Sequence, residues 1–240
     1  MQENIIKGRF DKVIDMIAAA GLNGTIHPEE SKLRYELPLK NSKGQYIFNL
    51  KSDKADGITT ISLDRNDVFV PNKWGIMLGI KNTTTGVETL YTFAPIADGE
   101  HPSIYEAGFK KHDIEALFAG SLSWSVDNTV YLSAYPMEKF HKVPETQGAF
   151  ILDSADEVVR EGIQLQRDLS KDLELIMPRF IIAGTRDQKI SVNFNAAGLD
   201  FAVTEGYEAN LVLLMDGFLV KSGCENTNGK NAFGDAVGQW

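Results

Sequence analysis

Residues Leu122 to Ala134 read LSWSVDNTVYLSA, with apolar side chains alternating with polar ones on both sides of a two-residue Asp127-Asn128 break. Alternation at period two belongs to an extended strand with one buried face, and a short Asp-Asn break between two such runs is where a β-hairpin reverses. The same pattern returns at Leu33/Tyr35/Leu37/Leu39, at Val87/Tyr91/Phe93 and at Ile190/Val192/Phe194. Antiparallel strands with one wet face are therefore expected to dominate from residue 31 onward. The expected class is all-β, preceded by one N-terminal helix.

With 240 residues and 43% hydrophobic composition, the chain can bury a core of one large or two small β units. Its charge of −9 opposes a groove that would follow nucleic-acid phosphates, so no direct nucleic-acid partner is expected. The single Cys224 cannot close an intramolecular disulfide, and Met1-Gln2-Glu3-Asn4 lacks the basic start and apolar run of a secretion signal. Synthesis and folding in a reducing cytoplasm are expected from these two points. The densest apolar run, Leu211 to Met215, meets Asp216 at once and falls short of the ~20 residues of a membrane span.

Residues 1–22 differ from the rest. Ile6, Phe10, Val13, Ile14 and Ile17 fall on one face of a helix over 5–20, with Arg9, Asp11, Lys12 and Asp15 opposite and Gly21 as its stop. Such a face needs cover, from its own β unit, a neighbouring subunit or a lipid headgroup layer. Next, Lys32 to Leu39 and Gln45 to Leu50 read as a hairpin joined by Lys40-Asn41-Ser42-Lys43-Gly44. After a polar loop over 51–57, short strands are expected at Ile58 to Leu63, Val68 to Val70 and Trp74 to Ile80. Thr83-Thr84-Thr85-Gly86 turns the last of these into Val87 to Phe93, and Pro95 to Phe109 reads as a long loop with one helical turn. Beyond the 122–134 hairpin, Pro136 and Pro144 break the pattern and mark a boundary. A short helix is expected near 155–161 with a strand after it at Ile163/Leu165, then strands at Leu173 to Ala183, Lys189 to Asn195, Leu199 to Val203 and Asn210 to Val220, and a tail over 223–240 that drapes over a neighbour or is only loosely held. The count reaches about fourteen strands in two blocks, 31–140 and 147–222, spaced as β-sandwiches space them.

Catalytic chemistry finds few carriers. His27, His101, His112 and His141 stand apart, none near a second His or Cys at zinc-ligand spacing. Gly120-Ser121 opens a strand instead of forming a nucleophile elbow, and nothing near Cys224 supplies the positive field that would activate a thiol. Asp53/Asp56 and Asp64-Arg65-Asn66-Asp67 could offer oxygens to one Ca²⁺, although Asp and Asn are also ordinary turn residues. Trp74, Trp124 and Trp240, together with Tyr91, Tyr131 and Tyr135, could line a sugar platform or fill the core between sheets. No catalytic residue, cofactor or metal ligand is assigned, and a non-enzyme is expected.

An N-terminal amphipathic helix, two blocks of short antiparallel strands and long loops at strand ends resemble the jelly-roll coat proteins of icosahedral viruses. The two-block outline is similar to the double jelly-roll major capsid proteins of tailless bacteriophages with an internal membrane. Ile6, Phe10, Val13, Ile14 and Ile17 match that family's membrane-directed helix, and Gly217-Phe218-Leu219-Val220 matches a closing strand. The resemblance implies two adjacent β-sandwich blocks and a virion structural protein. Its partners would be copies of itself in trimers within a shell, other virion proteins and an internal lipid membrane. Intersubunit or membrane contacts are expected at those five helix residues and at Trp240, and from the loop 95–109. The alternative is a carbohydrate- or receptor-binding β-sandwich of a spike or adhesin.

Overall fold

The computed structural model describes residues 29–41, 43–50, 63–93, 104, 106–142, 151–152, 158–159, 172–176, 181–195, 199 and 201–222. The helix expected over 5–20, the 223–240 tail, and with them Ile6, Phe10, Val13, Ile14, Ile17 and Trp240, lie outside these residues. So do His27, His101, Asp53, Asp56 and Cys224.

Most of the described chain is extended. The strands are β1 (Glu29–Pro38), β2 (Gln45–Asn49), β3 (Val68–Asn82), β4 (Glu88–Tyr91), β5 (Ser121–Val126) and β6 (Thr129–Pro136). They continue with β7 (Ile151–Leu152), β8 (Val158–Val159), β9 (Glu174–Leu175), β10 (Ile182–Ala183), β11 (Gln188–Asn193) and β12 (Tyr207–Val220). One helix, α1 (Lys111–Phe118), and a 3-10 turn at Met137–Phe140 complete the described elements.

All pairings are antiparallel. A six-stranded sheet has the path β1-β12-β3-β10, with β4 and β9 also against β3, and a four-stranded sheet has the path β2-β11-β5-β6. Along these two paths the pairs nest: β1 with β12, β2 with β11, β3 with β10, and β5 with β6. β12 and β11, which come from the expected second block, therefore sit inside sheets whose other long strands come from the first. The strands of 31–140 and 147–222 are interleaved, whereas side-by-side blocks were expected. Apolar alternation records that a strand has one buried face and carries no record of its partner.

The 122–134 hairpin forms as expected, with Asp127 at φ 46° and Asn128 at φ 69°, both left-handed as a two-residue type I′ turn requires. The turn into β4 also forms: Asn82 Oδ1 accepts from the backbone N–H groups of Thr84 and Thr85. Other expectations are corrected. β1 and β2 do not pair; the chain crosses between sheets over 39–44, where the Tyr46 hydroxyl accepts from the Lys40 N–H at 2.9 Å. Val68 to Val70 and Trp74 to Ile80 are parts of one strand, because a register shift opposite Asp216/Gly217 lets β3 pass Pro71 without a ladder donor there. Residues 158–159 are a strand paired with β7, in place of a helix near 155–161. Among the described residues of Leu173 to Ala183 the strands are the two-residue β9 and β10, and 201–204 is not a strand.

The helix α1 had no forecast. Its Ile114, Leu117 and Phe118 are buried at i, i+3 and i+4, and the Asp113 carboxylate accepts from the Lys110 N–H at its start. Eight residues hold little more than two turns, too few for a periodic signal to stand out.

Side chains from both sheets share one buried cluster: Leu33 and Tyr35 from β1, Phe48 from β2, Trp74 and Ile76 from β3, Trp124 from β5, Ile190 from β11 and Leu213 from β12. Burial raises the pKa of Tyr35 to about 12, its hydroxyl donating to the Leu50 carbonyl at 3.2 Å. Burial also raises Tyr46. A tyrosine with a raised folded pKa binds its proton more tightly when folded, so its contribution is complete below the unfolded value of ~10 and is lost as pH climbs through about 12. Urea titrations followed by circular dichroism should show stability falling between those values, and the Tyr35→Phe variant should show a shallower fall.

The outer face of the six-stranded sheet holds a smaller cluster of Met77, Leu173, Val212 and Leu214. Beside it, Arg34 donates to Glu36 at 2.6 Å and to both carboxylate oxygens of Glu88 at 2.6 Å. Gly79 makes room for this, since a Cβ there would lie 2.9 Å from a Glu88 carboxylate oxygen. Burial alone would lower the Arg34 pKa, but the Glu88 bond and charge, then those of Glu36, outweigh it and raise the value. Glu36 is 5% exposed. Replacing Arg34 with Met should leave that carboxylate without its cation and cost about 2 kcal/mol, below the range for a fully buried pair because Glu88 keeps some solvent. Chemical denaturation of R34M and of the R34M/E36Q double variant tests this; the second change should recover part of the loss.

Candidate functional surface

Residues singled out for chemistry fall into structural roles where they are described. His112 Nε2 lies 2.9 Å from the Asp113 carboxylate on the helix surface, and the His141 ring packs on Phe118 at 5.6 Å. Among the described residues, no group of three or more His, Cys, Asp and Glu is placed to hold a metal. Asp64-Arg65-Asn66-Asp67 is a turn in which Asp67 N–H donates to the Asp64 carbonyl at 3.0 Å. The Asp67 carboxylate is taken up by the Ser222 N–H at 2.8 Å. Ser121 begins β5, with the Gly120 carbonyl accepting from Met137 N–H.

The aromatic residues divide. Trp74, Trp124, Tyr91 and Tyr135 are buried, Tyr131 is exposed, and Trp240 lies outside the described residues. Trp74, Tyr135 and Phe140 form a trio with centroids 5.4 to 5.8 Å apart that joins β3 of one sheet to β6 of the other. The Tyr135 pKa is raised, first by burial and then by Glu174.

At one end of the strands, charged groups tie two turns together. Arg186 Nε meets the Asp127 carboxylate at 2.6 Å, Asp127 N–H donates to the Asp187 carbonyl, and Lys189 holds the Asp187 carboxylate at 2.8 Å. Each acid has its cation, so the cluster closes on itself. On the outer face of the six-stranded sheet, Asp216 has a pKa raised first by burial, against which Lys32 at 3.7 Å and Lys73 act to lower it.

Among the described residues, what remains open is the pair of edges of the four-stranded sheet. Five large apolar side chains are exposed among the described residues, namely Ile47, Val87, Val130, Tyr131 and Leu175. Three of these lie on β2 and β6, the two edge strands of that sheet. Val130 is 59% exposed, Ile47 41% and Tyr131 39%. Along β2, Leu50 N–H donates to Gln188 and the Gly44 carbonyl accepts from Phe194, so the even-numbered residues between them face β11. The backbone groups of Gln45, Ile47 and Asn49 point away from the sheet as a consequence. β6 is irregular: its register against β5 shifts on both sides of Trp124, placing Tyr131 as an extra residue whose ring lies 5.3 Å from Trp124.

These edge strands lack the charged guards that such strands often carry. Residues 45–49 (QYIFN) and 129–136 (TVYLSAYP) contain no charged residue, whereas the edge strand β1 of the other sheet carries Glu29, Glu30, Lys32, Arg34 and Glu36. The absence of charge on both segments was readable from sequence; that they are edges was not. No family model, curated protein or solved structure matches the chain.

Proposed function

We propose that this chain is a virion structural protein, a self-assembling coat subunit of an icosahedral virus built on one jelly roll. The observation that carries the reading is the nesting of strand pairs from β1·β12 inward to the β5–β6 hairpin. Nested pairs describe a single long antiparallel ribbon folded at that hairpin and wrapped so that successive strands alternate between two sheets, which is the jelly-roll path. β4, α1 and the β7–β9 region are then excursions from the ribbon, located where loops leave it. A jelly roll keeps its core between the sheets and leaves edges and loops for contacts, so copies can tile without altering the core. The bacteriophage host, the trimer, the other virion partners, and the helix expected over 5–20 with a lipid layer beneath it rest on the family resemblance.

Jelly rolls also serve as glycan-binding modules, the other reading of this sequence. That use draws on exposed aromatic side chains, whereas Trp74, Trp124, Tyr91 and Tyr135 are all core residues and, of the candidates that are described, only Tyr131 is at the surface. Negative-stain electron microscopy of the full chain after overexpression is the direct test. Particles of uniform diameter are the expected result; a monodisperse monomer at high concentration, with no particles under any salt condition, would overturn the reading.

A further inference from the structure

We infer that the four-stranded sheet docks edge to edge with a second copy of this chain, β6 of one against β2 of the next. Three features of the sheet point to a copy as the occupant. Neither edge strand contains a charged residue, the nearest charges being Lys43 over the Tyr46 ring and Lys139 over the Tyr135 ring, and both expose large apolar side chains, so one molecule carries the two halves of a contact. A foreign strand would need only one of them. Second, the sheet has an even number of antiparallel strands, so β2 and β6 run in opposite directions. A copy added in the same sense therefore meets β6 with β2 antiparallel, which continues the sheet's own alternation. Third, copies each carrying a charge of −9 repel across most of their surfaces and approach most easily along strands that contain no acidic residue.

The irregularity of β6 sets the character of the contact. With Tyr131 displaced from the ladder and Ala134 at φ 52°, the edge cannot offer an unbroken row of backbone groups. The junction then consists of Val130 and Tyr131 set against Ile47, with few main-chain hydrogen bonds. Such an interface is head-to-tail, and it closes into a ring when the rotation between copies permits. This deepens the coat reading and rests on it for self-association alone.

Sedimentation velocity on the full chain, on V130K, on I47K and on an equimolar mixture of the two tests the pairing. Wild type should associate, and each variant alone should be weakened by about tenfold or more, with unchanged circular dichroism. The mixture should form dimers, because V130K keeps an intact β2 edge and I47K an intact β6 edge. V130S and I47S serve the same comparison should either lysine variant fail to fold. A monomeric wild type, a variant that associates like wild type, or a mixture that stays monomeric would overturn the inference. So would loss of association in V130K but not in I47K, the outcome expected if β6 paired with itself, and so would capture of an unrelated extended peptide by these edges without self-association. Particles that still form from V130K would remove the edge contact and leave the coat reading intact. Rings lost in both variants, with no particles from wild type, would do the reverse.

Discussion

Trp74→Ala should lower the stability of this chain by about 3 to 5 kcal/mol, the range for deleting a fully buried large aromatic ring. Trp74 is 1% exposed and lies on β3, paired with Met215 of β12 on one side and Glu174 of β9 on the other. Its ring meets Phe140 edge-on at 86° and Tyr135 at 56°, each at 5.4 Å. Removing it takes away the element that β3, β6 and the 137–140 turn hold in common, and the rigid strands around it cannot close over the space. A domain of this size has about 5 to 15 kcal/mol in total, so the variant should sit near its unfolding threshold at 37 °C. Equilibrium urea denaturation followed by far-UV circular dichroism measures the effect, and Trp74→Phe, which keeps one ring in place, should cost less than half as much. A loss below about 1 kcal/mol for the alanine variant would mean that the two sheets are not joined through this trio.

The hairpin at 122–134 was legible because two independent signals coincide there: alternation in both arms and a two-residue turn whose Asp127 and Asn128 accept left-handed backbone. Strand partners were not legible. Tyr35 and Phe48 each mark a buried face, yet the 39–44 crossover and a hairpin turn share the same composition, and only the packed molecule distinguishes β1·β12 from β1·β2. The strands expected at Val68 to Val70 and Trp74 to Ile80 flank Pro71, which cannot donate to a ladder; the shift opposite Asp216/Gly217 accommodates it within the single β3. The candidate surface was half legible for the same reason. The missing charges at 45–49 and 129–136 stand in the sequence, but whether a strand is an edge depends on the order in which distant segments pair. Interleaving has a further consequence: with β11 and β12 seated between strands from the other half of the chain, neither half can complete a sheet alone. The long sequence separation of these pairs also makes folding slow relative to a helical protein of equal length.

Gly217→Ala places this pairing under the most direct test. Gly217 lies at the register shift on β12, the strand that holds β1 on one side and β3 on the other. A Cβ there would meet the Val70 carbonyl oxygen and the Pro71 Cα, both backbone atoms, with the Phe69 ring tip at 3.0 Å behind them. No rotamer change can relieve a clash with backbone, so β3 and β12 must separate where they carry the longest ladder in the molecule. The expected cost is about 3 kcal/mol, at the upper end for overpacking a rigid site. For a chain of this length that corresponds to a fall in Tm of about 6 to 12 °C. Gly206→Ala is the control, since Gly206 has φ 91° but no atom within 4 Å of the added carbon. Its cost should be the backbone term of about 1 kcal/mol alone. Scanning calorimetry on the two variants separates close approach from conformational preference: equal shifts would mean that β12 does not pass this near Val70 and Pro71, and with that the nesting of β1·β12 around β3 would fall.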